Sequence, residues 1–237
     1  MNEGGINFER GPISAYFEGL RNLLFRTTAF FRSVPLDNGL GGPLAFGLVS
    51  HWIGKAGENL WLNFLNSKTT SMMWGWGNRL PGIENLGRDA RWHMAQQRLT
   101  DWLNGVSSVV LDPFFTVFWI LFGAVLLFIS ARIFIGSVSD RIGKPARLRE
   151  ISFASAVRVI AYSQAAAVFL LIPTIGSFIA FWMGLWIIFV GIRELYNVTN
   201  GLALWVLLSE KLILFFVFGA TLLAVFLWLI TLVFVHL

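Results

Sequence analysis

The sequence lacks cysteine altogether and contains few charged residues. Without Cys, the 237-residue chain can form no disulfide, no iron–sulfur cluster and no thiolate metal site. Only 13% of its residues are charged, whereas 56% are hydrophobic, and its mean hydropathy is +0.69. A typical soluble domain has about 25% charged residues. The composition therefore excludes an ordinary water-soluble protein and predicts an integral membrane protein.

Recognisable motifs for catalysis and ligand binding are also missing. The three histidines, His51, His93 and His236, are too scattered in sequence to suggest a metal site. No P-loop, dinucleotide fingerprint, Gly-x-Ser-x-Gly elbow or His-Glu-x-x-His pattern occurs. The sequence therefore predicts a protein that is not an enzyme and that needs no cofactor or metal. A membrane-embedded enzyme using Asp112, Glu194 and His51 is a residual hypothesis, because no spacing links these residues.

The apolar residues concentrate in stretches that are long enough to cross a bilayer. A transmembrane helix needs about 20 mainly apolar residues. The last stretch is the clearest, since no charged residue follows Lys211. The predicted fold is all-α, a polytopic membrane helical bundle with about five transmembrane helices and two amphipathic interfacial helices. The predicted spans are residues 43–65, 113–135, 152–172, 174–192 and 212–237.

The first predicted span, 43–65, is the most polar of the five. It contains His51, Lys55, Glu58 and Asn59. Lys55 and Glu58 are three residues apart and can share a helix face, which would lower the cost of immersing them in hydrocarbon. Alternatively, the segment is re-entrant or lies flat on the membrane.

The second predicted span follows a local signal for a helix start. Asp112 can cap free backbone amides, and Pro113 suits the first helical turn. The apolar run that follows extends to about residue 135. These two residues therefore predict that the helix begins at 113.

Two segments outside the spans predict amphipathic helices. Residues 1–38 form a cytoplasmic N-terminal segment, and 39–237 form the membrane domain. In the first segment, apolar residues recur at helical spacing among arginines; they are Ile13, Phe17, Leu20, Leu24 and Phe31. This pattern indicates an interfacial helix or a short helix packed on the membrane domain. In the polar insertion 66–107, apolar residues recur at intervals of three and four; they are Trp92, Ala95, Leu99, Trp102 and Val106. This spacing predicts the second amphipathic helix.

The distribution of basic residues predicts the orientation. Four of them, Arg141, Lys144, Arg147 and Arg149, lie between spans two and three, and the next turn carries no charge. With an odd number of spans, the positive-inside rule then places the N-terminus inside and the C-terminus outside. Five basic residues in 66–107 oppose this arrangement, and if 43–65 did not cross, the N-terminus would lie outside. The net charge of +5 favours membrane lipids over nucleic acid as the partner.

Polar residues lie inside the third predicted span. They are Arg158, Tyr162, Ser163 and Gln164. Polar residues at this depth usually face the interior of a bundle, where they line a cavity or form interhelical hydrogen bonds. We favour hydrogen bonding. Small residues on spans three and four, including Ala161, Gly184 and Gly191, predict a close contact between these two helices.

Two stretches of the chain resemble the Yip1 family, and specifically its compact bacterial branch. One runs from Ala29 to Phe46 and the other from Val157 to Leu207, and the resemblance as a whole extends over about two thirds of the chain. The positions that carry the resemblance are Phe31, Pro35, Pro43, Phe46, Tyr162, Pro173, Gly176, Trp186, Gly191, Arg193 and Glu194. The family pattern often has Pro four positions after the Tyr, where this chain has Ala166.

The resemblance implies five spans, a cytoplasmic N-terminus and the inner (cytoplasmic) membrane of a bacterium. It implies no catalytic residue and no cofactor. The favoured hypothesis is a non-enzymatic scaffold that organises membrane lipids or partner proteins, including other copies of itself. The alternative is a transporter or channel component with a polar site at Arg158, Tyr162 and Gln164.

Overall fold

The computed structural model of the protein describes residues 11–35, 39–77, 106–142 and 151–235. Within these ranges every regular element is a helix, which confirms the predicted all-α bundle. The elements are α1 (Pro12–Phe25), α2 (Thr27–Ser33), α3 (Gly41–Gly77), α4 (Val106–Ile142), α5 (Phe153–Ser163), a 3-10 helix (Gln164–Leu171), α6 (Gly176–Leu195) and α7 (Asn200–Val235).

Among the described residues, four helical segments are long and apolar enough to cross a membrane. They are Leu111–Gly136, Phe153–Leu171, Gly176–Leu195 and Asn200–Trp228. These segments correspond to predicted spans two to five, so the protein is a multi-pass membrane protein by length and composition. The first predicted span forms part of α3, but α3 is not one of the four. Whether it crosses the membrane stays a prediction.

Helix boundaries differ from the prediction in three places. Pro113 lies inside α4, so Asp112 and Pro113 do not start that helix, which begins at Val106. Similarly, α7 begins at Asn200 rather than near 212, and α3 continues through 66–77, the first part of the predicted insertion. Hydropathy marks only the part of a helix suited to hydrocarbon, whereas polar flanking residues continue the same hydrogen-bond pattern. Of the helix predicted from Trp92 to Val106, residues 92–105 lie outside the described residues.

The N-terminal segment forms two helices that pack on the bundle. The backbone leaves helical geometry at Arg26, with φ −133° and ψ 41°, and this break separates α1 from α2. Leu23 of α1 and Phe30 and Phe31 of α2 are fully or almost fully buried in the common core. The described part of the segment therefore packs on the bundle, and whether it also lies at the membrane interface stays a prediction.

Helix α3 runs parallel to α5 and the 3-10 helix at very short range. Three glycines of α3 lie against it in order: Gly47 on Ala161, Gly54 on Ala167 and Gly57 on Leu171. A Cβ atom at Gly47 would lie 2.6 Å from the Ala161 carbonyl oxygen, and one at Gly54 would overlap the Ala167 carbonyl. Only glycine permits this backbone approach.

Helices α4 and α6 run antiparallel to α5. In α4, Gly123 faces Ile160, and the Phe128 ring lies 6.2 Å from the Phe153 ring. In α6, Gly191 lies against Val159 and Gly184 against Ala166, so a close contact between spans three and four is present. Ala161, however, packs on α3 rather than α6. The segment Phe153–Leu171 is therefore the centre of the bundle, surrounded by α3, α4 and α6.

The third span changes from an α-helix to a 3-10 helix at Gln164. Runs of 3-10 helix longer than about four residues are uncommon, and this one has 8 residues. The change occurs two residues before Ala166, the position where the family pattern often has Pro. The altered geometry therefore does not require proline here, and it coincides with the segment on which Gly54 and Gly57 pack.

We predict that Gly54→Ala destabilises the protein because its methyl group would overlap the Ala167 carbonyl, which belongs to the backbone and cannot rotate away. The expected loss is about 1–3 kcal/mol, the usual cost of overpacking. Thermal unfolding in detergent measures it. Gly42→Ala is the matched control in the same helix, since a Cβ there meets nothing within 4 Å. Equal unfolding temperatures for the two variants would contradict the close contact between α3 and the third span.

Candidate functional site

Tyr162 lies at the centre of an aromatic core built from three helices. Its ring centroid is 4.9 Å from that of Phe30, 6.1 Å from that of Phe31 and 5.5 Å from that of Phe46. All three contacts are edge-to-face, an arrangement that stabilises aromatic pairs beyond area burial alone. Tyr162 is 5% exposed. Helices α2 and α3 therefore enclose the most central polar residue of the third span.

The other residues of the predicted intramembrane cluster are also packed rather than open. Arg158 is 3% exposed and lies one helical turn before Tyr162. The Ser163 hydroxyl donates to the carbonyl of Ile160 at 2.7 Å, within its own helix. Gln164 is partly buried at the start of the 3-10 helix. These side chains are therefore packed between helices, as interhelical contacts require, and do not line an open pathway for solutes.

Several positions that carry the Yip1 resemblance meet at this core. Phe31 contacts both Tyr162 and Gly191, where a Cβ would lie 3.0 Å from the Phe31 ring. Phe46 joins from α3. At the turn between the 3-10 helix and α6, which contains Pro173, Gly176 lies against the Phe169 carbonyl. By contrast, Trp186 is 51% exposed and Pro35 is also exposed, whereas Pro43 is buried in the first turn of α3.

A charged group at one end of the bundle, the Glu194 cluster, ties α2 to α6 and α7. It consists of Thr28, Arg32, Arg193, Glu194 and Asn200. The two Glu194 carboxylate oxygens accept from Arg32 Nε at 2.7 Å and from Arg193 Nε at 2.8 Å. Arg193 also donates to Thr28 Oγ1 at 3.1 Å and to Asn200 Oδ1 at 3.4 Å. One guanidinium thus connects three helices.

Tight turns hold this cluster in place. After α6, Asn197 adopts a left-handed conformation with φ +52°, and the Val198 N–H donates to the Arg193 carbonyl at 3.1 Å. This is the Schellman pattern that commonly ends a helix. Thr199 then accepts from the Leu202 N–H at the start of α7. The polar stretch after residue 193 is therefore a short, structured connection.

A second polar group, the Asp112 cluster, lies at the opposite end of the third span. It consists of His51, Lys55, Glu58 and Asp112. His51 Nε2 is 3.7 Å from Asp112 Oδ2, and Lys55 Nζ donates to Glu58 Oε2 at 2.6 Å. All four side chains are partly exposed. No sequence pattern indicated the His51–Asp112 contact, because α3 and α4 bring these residues together from separate stretches.

Three buried oxygens have no hydrogen-bond partner within the described residues. They are Ser130 Oγ, the Tyr196 hydroxyl and Glu210 Oε2. The other Glu210 oxygen accepts from Lys211 Nζ at 3.0 Å, although Glu210 is only 2% exposed. Sequence reasoning missed Glu210, since α7 was expected to begin after it. Burial also raises the pKa of Tyr196.

Some hydrogen bonds connect the N-terminal helix and the hairpin turn to α3. The Tyr16 hydroxyl lies 3.1 Å from Ser50 Oγ. Burial raises the pKa of Tyr16, and the Ser50 hydrogen bond partly offsets this rise. Near the turn between the 3-10 helix and α6, Trp61 Nε1 donates to the Leu171 carbonyl at 2.7 Å. Helix α3 therefore contacts the third span over most of its length.

Comparison of the chain with protein-family models, curated proteins and solved structures gives no match. The resemblance to the Yip1 family therefore stays a prediction that rests on the sequence alone. Within the part of the chain that the structure describes, no three His, Asp or Glu side chains gather as a metal site would need.

We predict that Glu194 and Arg32 contribute unequally to the stability of the protein. Glu194→Gln should lower stability by about 1–3 kcal/mol, because Glu194 is mostly buried and accepts from two guanidinium groups. Arg32→Gln should cost less than about 1 kcal/mol, since the Arg32 side chain is 69% exposed. Thermal unfolding of both variants tests this order. Equal losses would show that the burial of a side chain does not determine how much its ion pairs contribute to stability.

We predict that Tyr196→Phe leaves stability unchanged or raises it, because the substitution removes a buried hydroxyl that has no partner and keeps the ring. The variant should also lose less stability than the wild type as the pH rises above 10. Burial holds the pKa of Tyr196 above its value in the unfolded chain. As the pH rises past about 10, the unfolded chain therefore loses this proton first, and the folded state becomes less stable until the folded pKa is reached. Unfolding curves at neutral and alkaline pH measure both effects. A large loss of stability in Tyr196→Phe at neutral pH would contradict the prediction, because it would show that the hydroxyl has a hydrogen-bond partner in the folded protein.

Proposed function

We propose that the protein is a non-enzymatic membrane scaffold of the Yip1-like type, which organises lipids and partner membrane proteins. The observation that carries this proposal is the closed core around Tyr162. Tyr162, at the middle of the third span, is 5% exposed, and Arg158, one helical turn earlier, is 3% exposed. Three phenylalanine rings occupy the space where a passage would need water or ligand. This burial supports a packing role for Arg158 and Tyr162 rather than a passage for solutes.

Helix α7 supports the same proposal through its surface. From Leu212 to Trp228 no side chain is buried, although the preceding turns pack on α4 and α6 through Ala203 and Val206. The apolar segment Asn200–Trp228 has 29 residues and would be about 43 Å long, so it must tilt in a core about 30 Å thick. Its outer part is accessible from all sides to lipid and to neighbouring helices.

The topology in this proposal has five spans with α3 as the first. Gly191 lies opposite Val159, so Glu194, three residues further along the antiparallel helix α6, is level with about Ala156. Gly57 places the Asp112 cluster near Leu171. Along α5 and the 3-10 helix, these levels are separated by roughly 25 Å, close to the thickness of a hydrocarbon core. Helix α3 extends from one polar level to the other, which supports a crossing. With the N-terminus inside, the Glu194 cluster would face the cytoplasm of a bacterium.

Photo-crosslinking in native membranes tests the scaffold. A benzophenone amino acid replaces Leu223 or Phe226, two exposed residues of α7, and Phe115 of α4 serves as an exposed control. We expect both α7 positions to crosslink to the same protein, either a second copy or one defined membrane protein, and Phe115 to give a different pattern. Crosslinks to lipid alone at every position would overturn the proposal.

The alternative function, a transporter or channel component, is favoured by the Asp112 cluster. Four ionisable side chains near the membrane core are costly unless they serve a purpose. In reconstituted vesicles, a transporter would produce a flux of ions or small solutes that changes with Gln164→Leu or Lys55→Met. The scaffold predicts no flux above that of protein-free vesicles for the wild type or either variant.

A further inference from the structure

The depth of α1 follows from its contacts with α3. Its Tyr16 ring lies 5.2 Å from the Phe46 ring, and the Tyr16 hydroxyl reaches Ser50. Because Gly47 lies opposite Ala161, Ser50 is level with about Gln164. This level is roughly 12 Å along the bundle from the Glu194 cluster, within half of a hydrocarbon core about 30 Å thick. The Tyr16 side chain therefore reaches into this leaflet, and α1 lies on the same side of the bundle as the Glu194 cluster, which the following helix α2 contacts through Thr28.

The surface of α1 is divided into three sectors. One sector packs on the bundle through Ala15, Leu20 and Leu23. The adjacent sector carries Ile13 and Phe17, which are four residues apart and 73% and 58% exposed. A third sector carries the exposed, charged Glu18 and Arg21 and, at the end of the helix, Phe25, which is 81% exposed. A helix at the boundary between headgroups and acyl chains needs this division between protein, hydrocarbon and water.

The charge of this exposed surface is positive. Arg21 and Arg26 are both exposed, and Glu18 is the acidic residue among them in the described part of the segment. The next arginine, Arg32, is bound to Glu194 through Nε. Each basic residue close to a membrane surface contributes attraction for anionic headgroups over about one Debye length. Apolar and basic residues on neighbouring sectors fit the two parts of an anionic phospholipid.

We propose that the exposed surface of α1 is a binding surface for anionic phospholipid in the leaflet next to the Glu194 cluster. Ile13 and Phe17 lie among the acyl chains, and Arg21 and Arg26 bind the headgroup phosphates. The inference deepens the proposed scaffold and rests on it, since it names the lipid that the scaffold gathers.

Site-directed fluorescence quenching tests this surface in the full-length protein. Because the chain has no cysteine, each single-cysteine variant carries one label. A bimane label at Phe17→Cys is reconstituted with phosphatidylcholine and phosphatidylglycerol, one of which carries bromine on its acyl chains. We expect strong quenching, and brominated phosphatidylglycerol should reach half-quenching at a several-fold lower mole fraction than brominated phosphatidylcholine. Arg21→Gln with Arg26→Gln should abolish this preference.

Two labelled positions provide matched controls. Glu18→Cys, on the adjacent polar sector of the same helix, should be quenched weakly by either lipid. Ile175→Cys is exposed and apolar but lies at the turn near the opposite end of the third span, and it should be quenched equally by both lipids. Ile13→Cys replaces Phe17→Cys if that variant unfolds.

Two results would overturn the proposal. If the label at Phe17→Cys were no more quenched than that at Glu18→Cys, α1 would not face acyl chains. If quenching were strong but equal for both lipids, and unchanged by the arginine substitutions, no anionic lipid would be recognised. If the α7 positions gave no protein crosslinks, the proposal that the scaffold binds partner proteins would be wrong, but the quenching results would not change. The two failures are therefore distinguishable.

Discussion

Close backbone contact between α3 and the third span is the constraint on which the rest of the bundle depends. Gly47 and Gly54 bring two helical backbones into contact, and Gly57 lets the Leu171 side chain pack directly on the α3 backbone. In a membrane there is little hydrophobic drive for helices to associate, and contacts of this kind supply dispersion energy instead. The same approach places Phe46 beside Tyr162 and Trp61 beside the Leu171 carbonyl. Helix α3 therefore links the aromatic core to the hairpin turn.

Polar groups are satisfied mainly at the two ends of the bundle. At one end, the Glu194 cluster uses one carboxylate to hold two arginines, and at the other, the Asp112 cluster pairs two cations with two carboxylates if His51 is protonated. Between them, aromatic and aliphatic side chains surround Tyr162. This distribution follows from the cost of an unpaired charge in hydrocarbon. Among the described residues, Glu210 is the carboxylate that departs from this pattern: it is buried, and one of its oxygens has no hydrogen-bond partner, as is also true of the neutral hydroxyls of Ser130 and Tyr196.

The sequence predicted the helical class, four of the apolar segments and the polar residues of the third span, because these depend on local composition. Hydropathy could not place the helix ends, since Val106 and Asn200 begin helices in residues that are not apolar enough to span. Nor could it reveal contacts between distant positions such as Arg32 and Glu194 or His51 and Asp112. These contacts arise from how whole helices pack. The glycines of α3 were a usable signal: Gly47 and Gly54 are seven residues apart, as expected for one helix face.

The 3-10 helix has a consequence for the length of the third span. A 3-10 helix rises about 2.0 Å per residue and an α-helix about 1.5 Å, so the 8 residues from Gln164 gain roughly 4 Å over an α-helix. The 19 residues of Phe153–Leu171 then reach about 32 Å. The longer rise per residue lets a segment of only 19 residues span a hydrocarbon core about 30 Å thick. A reversion to α-helix would draw the hairpin turn inward and rotate every side chain beyond Gln164.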